Sequence, residues 1–489
     1  MRRLQALLAV AILALLAAVP AFAWEWVYGP PNTWDQAFRR VTPVVNCPTE
    51  GPGYIAVGTF DQFGVNPEVY VVYTPLAGGP PVWEMTYDVQ AQGFEDEGIA
   101  IVEVPGGFVF LSNTRKPGTP WMPALTFIKC SGGVAWSQVY PDALAGQDLR
   151  GRDLIRTATG AFPMAPGDLA VAGWWFNGAN DDAFLMRTNA AGGLLWNIVH
   201  DTGTNEAFHA LTEALPAAVV GTADLVAVGR YTNFNGDLQG LAARVNGNNG
   251  AIGPLPQCFA HHGIANSREI YNSVTPLRAQ QYLGQFAMIG TTSNQAWGDD
   301  VWLTRGNPCA LAVQSRIGNP AGAAPSSEHG NDLREIFGPV IGPNGGVLGL
   351  VGDYAPAGGA YDATYLQVAT FNLLPLGATG RLFGDHAGAN DIFYSLAEDP
   401  AGFPGGRILA GLTEANWEWL GDPRDMYLVH YNPLVAPPPP ICEINWSPVG
   451  VPLNWPQTFM QPQRRFPAKE FAVHTLEWPQ WNPYDLHCP

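Results

Sequence analysis

The hydrophobic pattern of the chain is a two-residue alternation that keeps restarting. Tyr54-Ile-Ala-Val-Gly58, Leu169-Ala-Val-Ala-Gly173, Leu225-Val-Ala-Val-Gly229, Phe286-Ala-Met-Ile-Gly290, Leu348-Gly-Leu-Val-Gly352 and Ile408-Leu-Ala-Gly411 are short apolar runs ended by glycine. Phe108-Val-Phe-Leu-Ser112 fills the one gap in the series, with Ser in place of Gly. The last residues of these runs are 54, 61, 56, 61, 62 and 59 positions apart, so a unit near sixty residues occurs seven times. Short apolar runs bounded by turn residues read as strands, and a fixed period of this size marks a repeat architecture.

Three more strands surround each run. The one before it alternates and is opened by an acid: Asp35, Asp96, Glu206, Asp332 and Asp391, with Asp153 and Glu269 by looser alignment. The one after it is often opened by Asp, as in Asp182-Ala-Phe-Leu-Met-Arg187, Asp300-Val-Trp-Leu-Thr-Arg305 and Asp425-Met-Tyr-Leu-Val-His430. A Gly-rich turn then leads to a strand carrying Trp83, Trp136 or Trp196. Four strands per unit and seven units predict an all-β chain folded as a seven-bladed β-propeller. A linear solenoid suits four antiparallel strands per unit less well. The seventh unit lacks its fourth strand, and Trp24-Glu-Trp26-Val-Tyr28 matches that strand at the other end of the chain. The N-terminal strand is therefore expected to complete the last blade and leave no open edge between first and last.

With these residues in view, the repeat resembles those of secreted bacterial seven-bladed propeller proteins. It is similar in architecture to WD repeats but lacks their Trp-Asp dipeptide. The resemblance rests on a Gly-ended strand, an Asp-aromatic strand and a Trp strand over about 24–433. It implies a fold and says little about activity. Units four to six depart from it, because 251–260, 311–317 and 378–384 lack the Trp.

Composition narrows the class. Gly (56) and Pro (44) make up about one residue in five of 489, which interrupts helices every few turns. Hydrophobic residues at 47% exclude disorder as the dominant state. The formal charge is −18, with 42 acids against 24 bases, which argues against a nucleic-acid partner. Pro also collects in Ala436-Pro-Pro-Pro-Pro440 and beyond. The chain accordingly divides into a signal peptide (1–23), the propeller (24–433), a stiff proline spacer (434–440) and a Pro/Trp-rich irregular tail (441–489).

The signal-peptide reading rests on Arg2-Arg3, the apolar run Leu4–Val19 and Ala21-Phe22-Ala23 before Trp24. It places the mature protein outside the cell or in a periplasm. No second run is long enough to span a membrane. Six cysteines in an exported chain suggest disulfides, with 15 pairings open; a Cys442–Cys488 staple would hold the tail as a wrap.

Candidate chemistry gathers at one end of the ring. The acids Asp35, Asp96, Glu206, Asp332 and Asp391 open the strands expected to line the axis. The same loops hold His200, His261, His262, His329 and His386. If they converge, they form a ligand site. Ca²⁺ suits the carboxylates, although no cofactor is established, and imidazoles suit transition metals. The alternative for a repeated acid at a strand start is satisfaction of local loop amides. No Gly-x-Ser-x-Gly, P-loop, His-Glu-x-x-His or sialidase-type Asp box occurs. The reading that follows is a secreted, monomeric, non-catalytic binding or scaffold propeller, presenting a loop face to a protein, glycan or surface ligand. The alternative is an exported glycosidase or lyase acting on polysaccharide at the channel mouth.

Overall fold

The computed structural model describes residues 24–28, most of 34–431 and six short strands between 443 and 485. The signal segment, the proline spacer, His386, Cys442 and Cys488 lie outside the described residues. Among the described residues the only helix is one 3-10 turn, Gln280–Tyr282.

The rest is antiparallel sheet laid down in chain order. The first blade is Trp34–Val44, Gly53–Asp61, Pro67–Pro75 and Trp83–Asp88; the second is Glu95–Val104, Gly107–Arg115, Met122–Lys129 and Val134–Val139. The third is Leu149–Arg156, Leu169–Phe176, Asp181–Thr188 and Leu194–His200; the fourth is Glu206–Glu213, Leu225–Thr232, Leu238–Val245 and Cys258–His262. The closing blade is Asp391–Glu398, Arg407–Thr413 and Asp425–Tyr431, completed by Trp24–Tyr28, whose Trp26 lies opposite Leu428.

The stretch between the fourth and closing blades departs from seven separate blades. Arg268–Gly318 and Ser326–Phe383 each contribute four antiparallel strands, but the two runs belong to one ten-stranded sheet. A short parallel bridge, Gly298 with Ser326 and Asp299 with Ser327, joins them. The hydrogen bonding thus defines five discrete blades and one double sheet.

The innermost strands begin at Trp34, Glu95, Leu149, Glu206, Arg268, Ser326 and Asp391. Each packs against the next and the last against the first, so they close around an axis. The core lies between neighbouring sheets. Val57, Val71, Phe108 and Phe110 fill the seam of the first and second blades. Phe38, Tyr54, Ile408 and Met426 fill that of the first and closing blades. Trp302, fully buried, stacks on Tyr271 at 4.2 Å. Disulfides Cys47–Cys130 and Cys258–Cys309 tie the first blade to the second and the fourth to the double sheet.

The tail is more regular than its prolines suggest. Its six short strands extend the outer edges of the sheets in an order that runs backwards round the ring. Glu443–Trp446 and Val449–Pro452 pair with the double sheet, and Gln457–Phe459 with the fourth blade. Lys469–Glu470 pairs with the second blade, His474–Glu477 with the first and Tyr484–Asp485 with the closing one. Among the described residues only the third blade keeps four strands and a bare outer edge.

Candidate functional site

Every innermost strand carries a β-bulge at the same place. The register slips across Arg39, Ile99, Arg152, His209, Asn272, Asn331 and Tyr394 in turn. A bulge re-aims one side chain, and here all seven face the axis, lining a cavity of about 700 Å³. The repeat glycine sits beside six of the seven slips; in the second blade Ser112 takes its place and the glycine, Gly98, is on the bulged strand. Gly58, Gly173, Gly229, Gly290, Gly352 and Gly411 are cross-strand partners of the residue just before the bulge. A Cβ at any of them would lie 1.7–2.0 Å from a carbonyl oxygen of the bulged strand. The glycine that marks the repeat in the sequence is therefore what lets the backbone close on the bulge.

The cavity is also lined by Asp61, Glu97, Arg150, Trp174 and Arg230. Arg150 pairs with Glu97 at 3.2 Å and lies over the Trp121 ring; Arg230 pairs with Asp181 at 3.0 Å. Arg39 lies 4.6 Å from the Tyr394 ring centre. Burial, reinforced by Arg152 and Arg230, holds His209 down at about 3, so its ring is neutral. His209 Nδ1 is 2.9 Å from the Tyr271 carbonyl, and Asn272 and Asn331 donate to the carbonyls of Gly330 and Phe393. These three bulged side chains clasp the next innermost strand.

A second cavity of about 440 Å³ shares Asn272, Asn331 and Tyr394 with the first and adds His329. His329 is held by Asp353 at 2.6 Å and Asp299 at 3.3 Å. Burial opposes its charge, but hydrogen bonds to the two carboxylates outweigh that and carry it up to about 10. Past the bulges, Arg40 of the first blade reaches Asp153 of the third at 3.7 Å, and Arg334 pairs with Asp332 at 3.2 Å.

The acids and histidines expected at the channel mouth are placed differently from one another. Asp96, Glu206 and Asp391 open innermost strands and are buried. Asp35 opens the first such strand, with its side chain outside the described residues. Asp153 and Asp332 do not belong with them, because each sits one residue past its bulge. There they accept the Leu211 and Leu396 amides of the next innermost strand. The counterpart of Asp96 in the double sheet is Glu328, three residues before the bulge as Asp96, Glu206, Glu269 and Asp391 are.

His200, His261 and His262 lie at the ends of outer strands, away from the axial loops. His200 stacks on Phe259 at 3.8 Å and His261 on Tyr231 at 3.7 Å, while His262 Nδ1 is 2.9 Å from the Tyr271 hydroxyl. Of the four described candidate histidines, His329 alone borders an axial cavity. The arginines were not anticipated. A count of three from an acid near the strand start finds five of the bulged side chains, Ile99, His209, Asn272, Asn331 and Tyr394, but not Arg39 or Arg152.

The buried acids meet a second repeated acid. Asp96 faces Glu68, Glu206 faces Asp182 and Glu328 faces Asp300, each pair formed by an innermost strand and the third strand of the preceding run. Burial, and secondarily neighbouring carboxylates (Asp88 ahead of Glu68 for Asp96, Asp182 for Glu206 and Asp300 for Glu328), push Asp96 up to about 7 and Glu206 and Glu328 to about 8. Hydrogen bonds oppose the rise: Thr204 Oγ1 donates to Glu206 Oε1 at 2.9 Å and Ser326 Oγ to Glu328 Oε1 at 2.6 Å. Raised to about 8, Glu206 and Glu328 hold a proton at neutral pH. For Ca²⁺ the seams offer carboxyls two at a time. Among the described residues the one group of three metal-ligating side chains is Cys47, Glu50 and Cys130, whose sulfurs form the disulfide.

No protein-family model matches the chain. No curated protein is similar to it at a significant level. Among solved structures it is similar to an α-L-arabinanase of Penicillium chrysogenum complexed with arabinobiose, with a TM-score of 0.39 and 12% identity over 68% of this chain and 92% of that one.

Proposed function

We propose that the chain is an exported seven-bladed propeller, the double sheet counting as two blades, that works by binding a protein, glycan or surface ligand in its axial cavity. The observation that carries this reading is the ring of seven bulged side chains around about 700 Å³, a volume in the range of ligand pockets. The closed cycle of seven innermost strands supports the blade count. The two disulfides are compatible with an oxidising compartment. No helix among the described residues is long and apolar enough to cross a membrane. The test is a binding screen of the mature protein against glycans and surface polymers, repeated with Trp174→Ala. Binding lost in the variant supports the cavity as the site, and binding unchanged by the substitution rejects it.

The second reading is an exported enzyme acting on polysaccharide at the same mouth. Asp61 and Glu97 both line the cavity, and glycoside chemistry needs two carboxyls. Glu97 is held in place by its ion pair with Arg150. Release of reducing ends from polysaccharides, lost in Glu97→Gln, tests it.

A further inference from the structure

The axial cavity carries charge against the sign of the whole chain. The protein has 42 acids and 24 bases, yet Arg39, Arg150, Arg152 and Arg230 line the cavity against Asp61 and Glu97. Two of these arginines have carboxylates of their own, as described above. The other two do not. Among the described residues Arg39 makes its close contact with the Tyr394 ring, and no acid pairs with it. Arg152 also has no ion-pair partner among the described residues, and both side chains are exposed to the cavity.

The surroundings of Arg152 are unfavourable for a cation. Although its tip is open to the cavity, the enclosing walls desolvate it, and this, then Arg150, Arg39 and Arg230, lower its pKa, which Glu97 offsets only in part. Like charges gathered in a recess are costly, and each guanidinium presents a planar fork that matches a carboxylate or sulfate. An anion entering the cavity would relieve the repulsion and accept the free donors together.

The cavity is also too large for a bare ion. Trp174, Tyr394, Ile99 and Leu412 add apolar faces, and an inorganic anion would leave most of about 700 Å³ unfilled. Flat apolar faces beside fork donors fit a ring that bears an acidic group.

We infer that the axial cavity binds an acidic glycan, a saccharide carrying carboxylate or sulfate groups, with Arg39 and Arg152 receiving the acidic group and Trp174 and Tyr394 bordering the sugar ring. This rests on the reading of the cavity as the ligand site.

The experiment is calorimetric titration of the mature full chain with a uronate oligosaccharide, its methyl ester, a sulfated oligosaccharide, a neutral arabino-oligosaccharide and sodium sulfate. The uronate or the sulfated sugar is expected to bind; which of them binds identifies the acidic group. Arg152→Ala should weaken that binding at least tenfold and Arg152→Lys less, each with an unchanged melting temperature to show folding. Raising NaCl from 50 to 500 mM should weaken it too. Methyl-ester or neutral sugar bound as tightly as the acidic ones, with Arg152→Ala silent and Trp174→Ala disruptive, overturns the acidic class while leaving the cavity as the site. Sulfate bound as tightly as any sugar overturns the glycan. No binding by any sugar, or binding that Trp174→Ala leaves intact, removes the cavity reading itself.

Discussion

Gly229 stands directly across the sheet from Phe208, and the carbonyl oxygen of Ala207 lies 1.9 Å from where a Cβ at 229 would be. The next residue along from Phe208 is His209, the bulged side chain of that strand. Glycine on one strand thus permits the slip on its neighbour that aims a side chain at the axis. Gly229→Ala should destabilise the protein by about 1–3 kcal/mol, the cost typical of overpacking. Gly133→Ala, where a Cβ meets nothing within 4 Å, should stay within about 0.5 kcal/mol of wild type. Denaturant unfolding of the two variants gives the comparison. Equal stability would remove the glycine–bulge account.

The seam carboxyls make a pH prediction with a definite sign. Glu206 and Glu328 titrate near 4.3 when unfolded and at about 8 when folded. Between those values the folded protein holds a proton the unfolded chain has released. Their contribution is therefore complete below about pH 4 and is lost as pH rises through about 8. Glutamine imitates the protonated acid. Melting curves of Glu206→Gln and Glu328→Gln should match wild type near pH 4 and exceed it by roughly a few degrees at pH 8. A gap that does not grow with pH would show that these groups are ionised in the fold.

Lower pH brings the buried histidines into play with the opposite sign. His209 and His262 sit at about 3 and His261 at about 4, all depressed first by burial. The unfolded chain takes up protons near 6.5 while the folded protein does not, so stability falls as pH drops from about 6.5 toward those values. Replacing His261, which stacks on Tyr231, with Phe should flatten the acid limb of a stability–pH profile. An unchanged limb would place its charge change elsewhere.

The tail strands cover sheet edges that would otherwise present unpaired backbone groups. Removing 434–489 should leave a folded ring that self-associates, read by light scattering after size exclusion. A truncated protein that stays monomeric at high concentration would make the tail dispensable as an edge cover.

The disulfides close loops of 83 and 51 residues between neighbouring sheets. In the loop-entropy account each contributes about 4 kcal/mol. Adding reductant during thermal unfolding should lower the melting temperature, and Cys258→Ser with Cys309→Ser should reproduce part of that drop.

The strand order within the repeat was legible because alternation and glycine turns leave a local signature. Trp24–Tyr28 could be assigned as a fourth strand because Tyr427–Tyr431 has no successor of its own before the prolines. What alternation cannot show is a bulge, since one extra residue shifts the period without changing composition. That is why Asp153 and Asp332 look like partners of Asp96 and Glu206 in the sequence, yet lie beyond the slip and bond the next strand. The arginines of the cavity come from positions 39, 150, 152 and 230, and only the ring brings them together. The acids at 206 and 182 and at 328 and 300 look independent in the chain, yet across the seams Asp182 raises the proton affinity of Glu206 and Asp300 that of Glu328.

Trp24–Tyr28 precedes every other described strand, yet both its neighbours come from the opposite end: Asp425–Tyr431 on one side and Tyr484–Asp485 on the other. A chain emerging N-terminus first must carry this aromatic strand without a partner while roughly 400 residues follow it. Completion of the closing blade is thus deferred until 425–485 has been made, and an early strand is seated late. Escape of that one strand would bare the edge of Asp425–Tyr431 while the innermost strands of the first and closing blades stay packed, so the two ends of the chain seal the outside of the closing blade and not its axis.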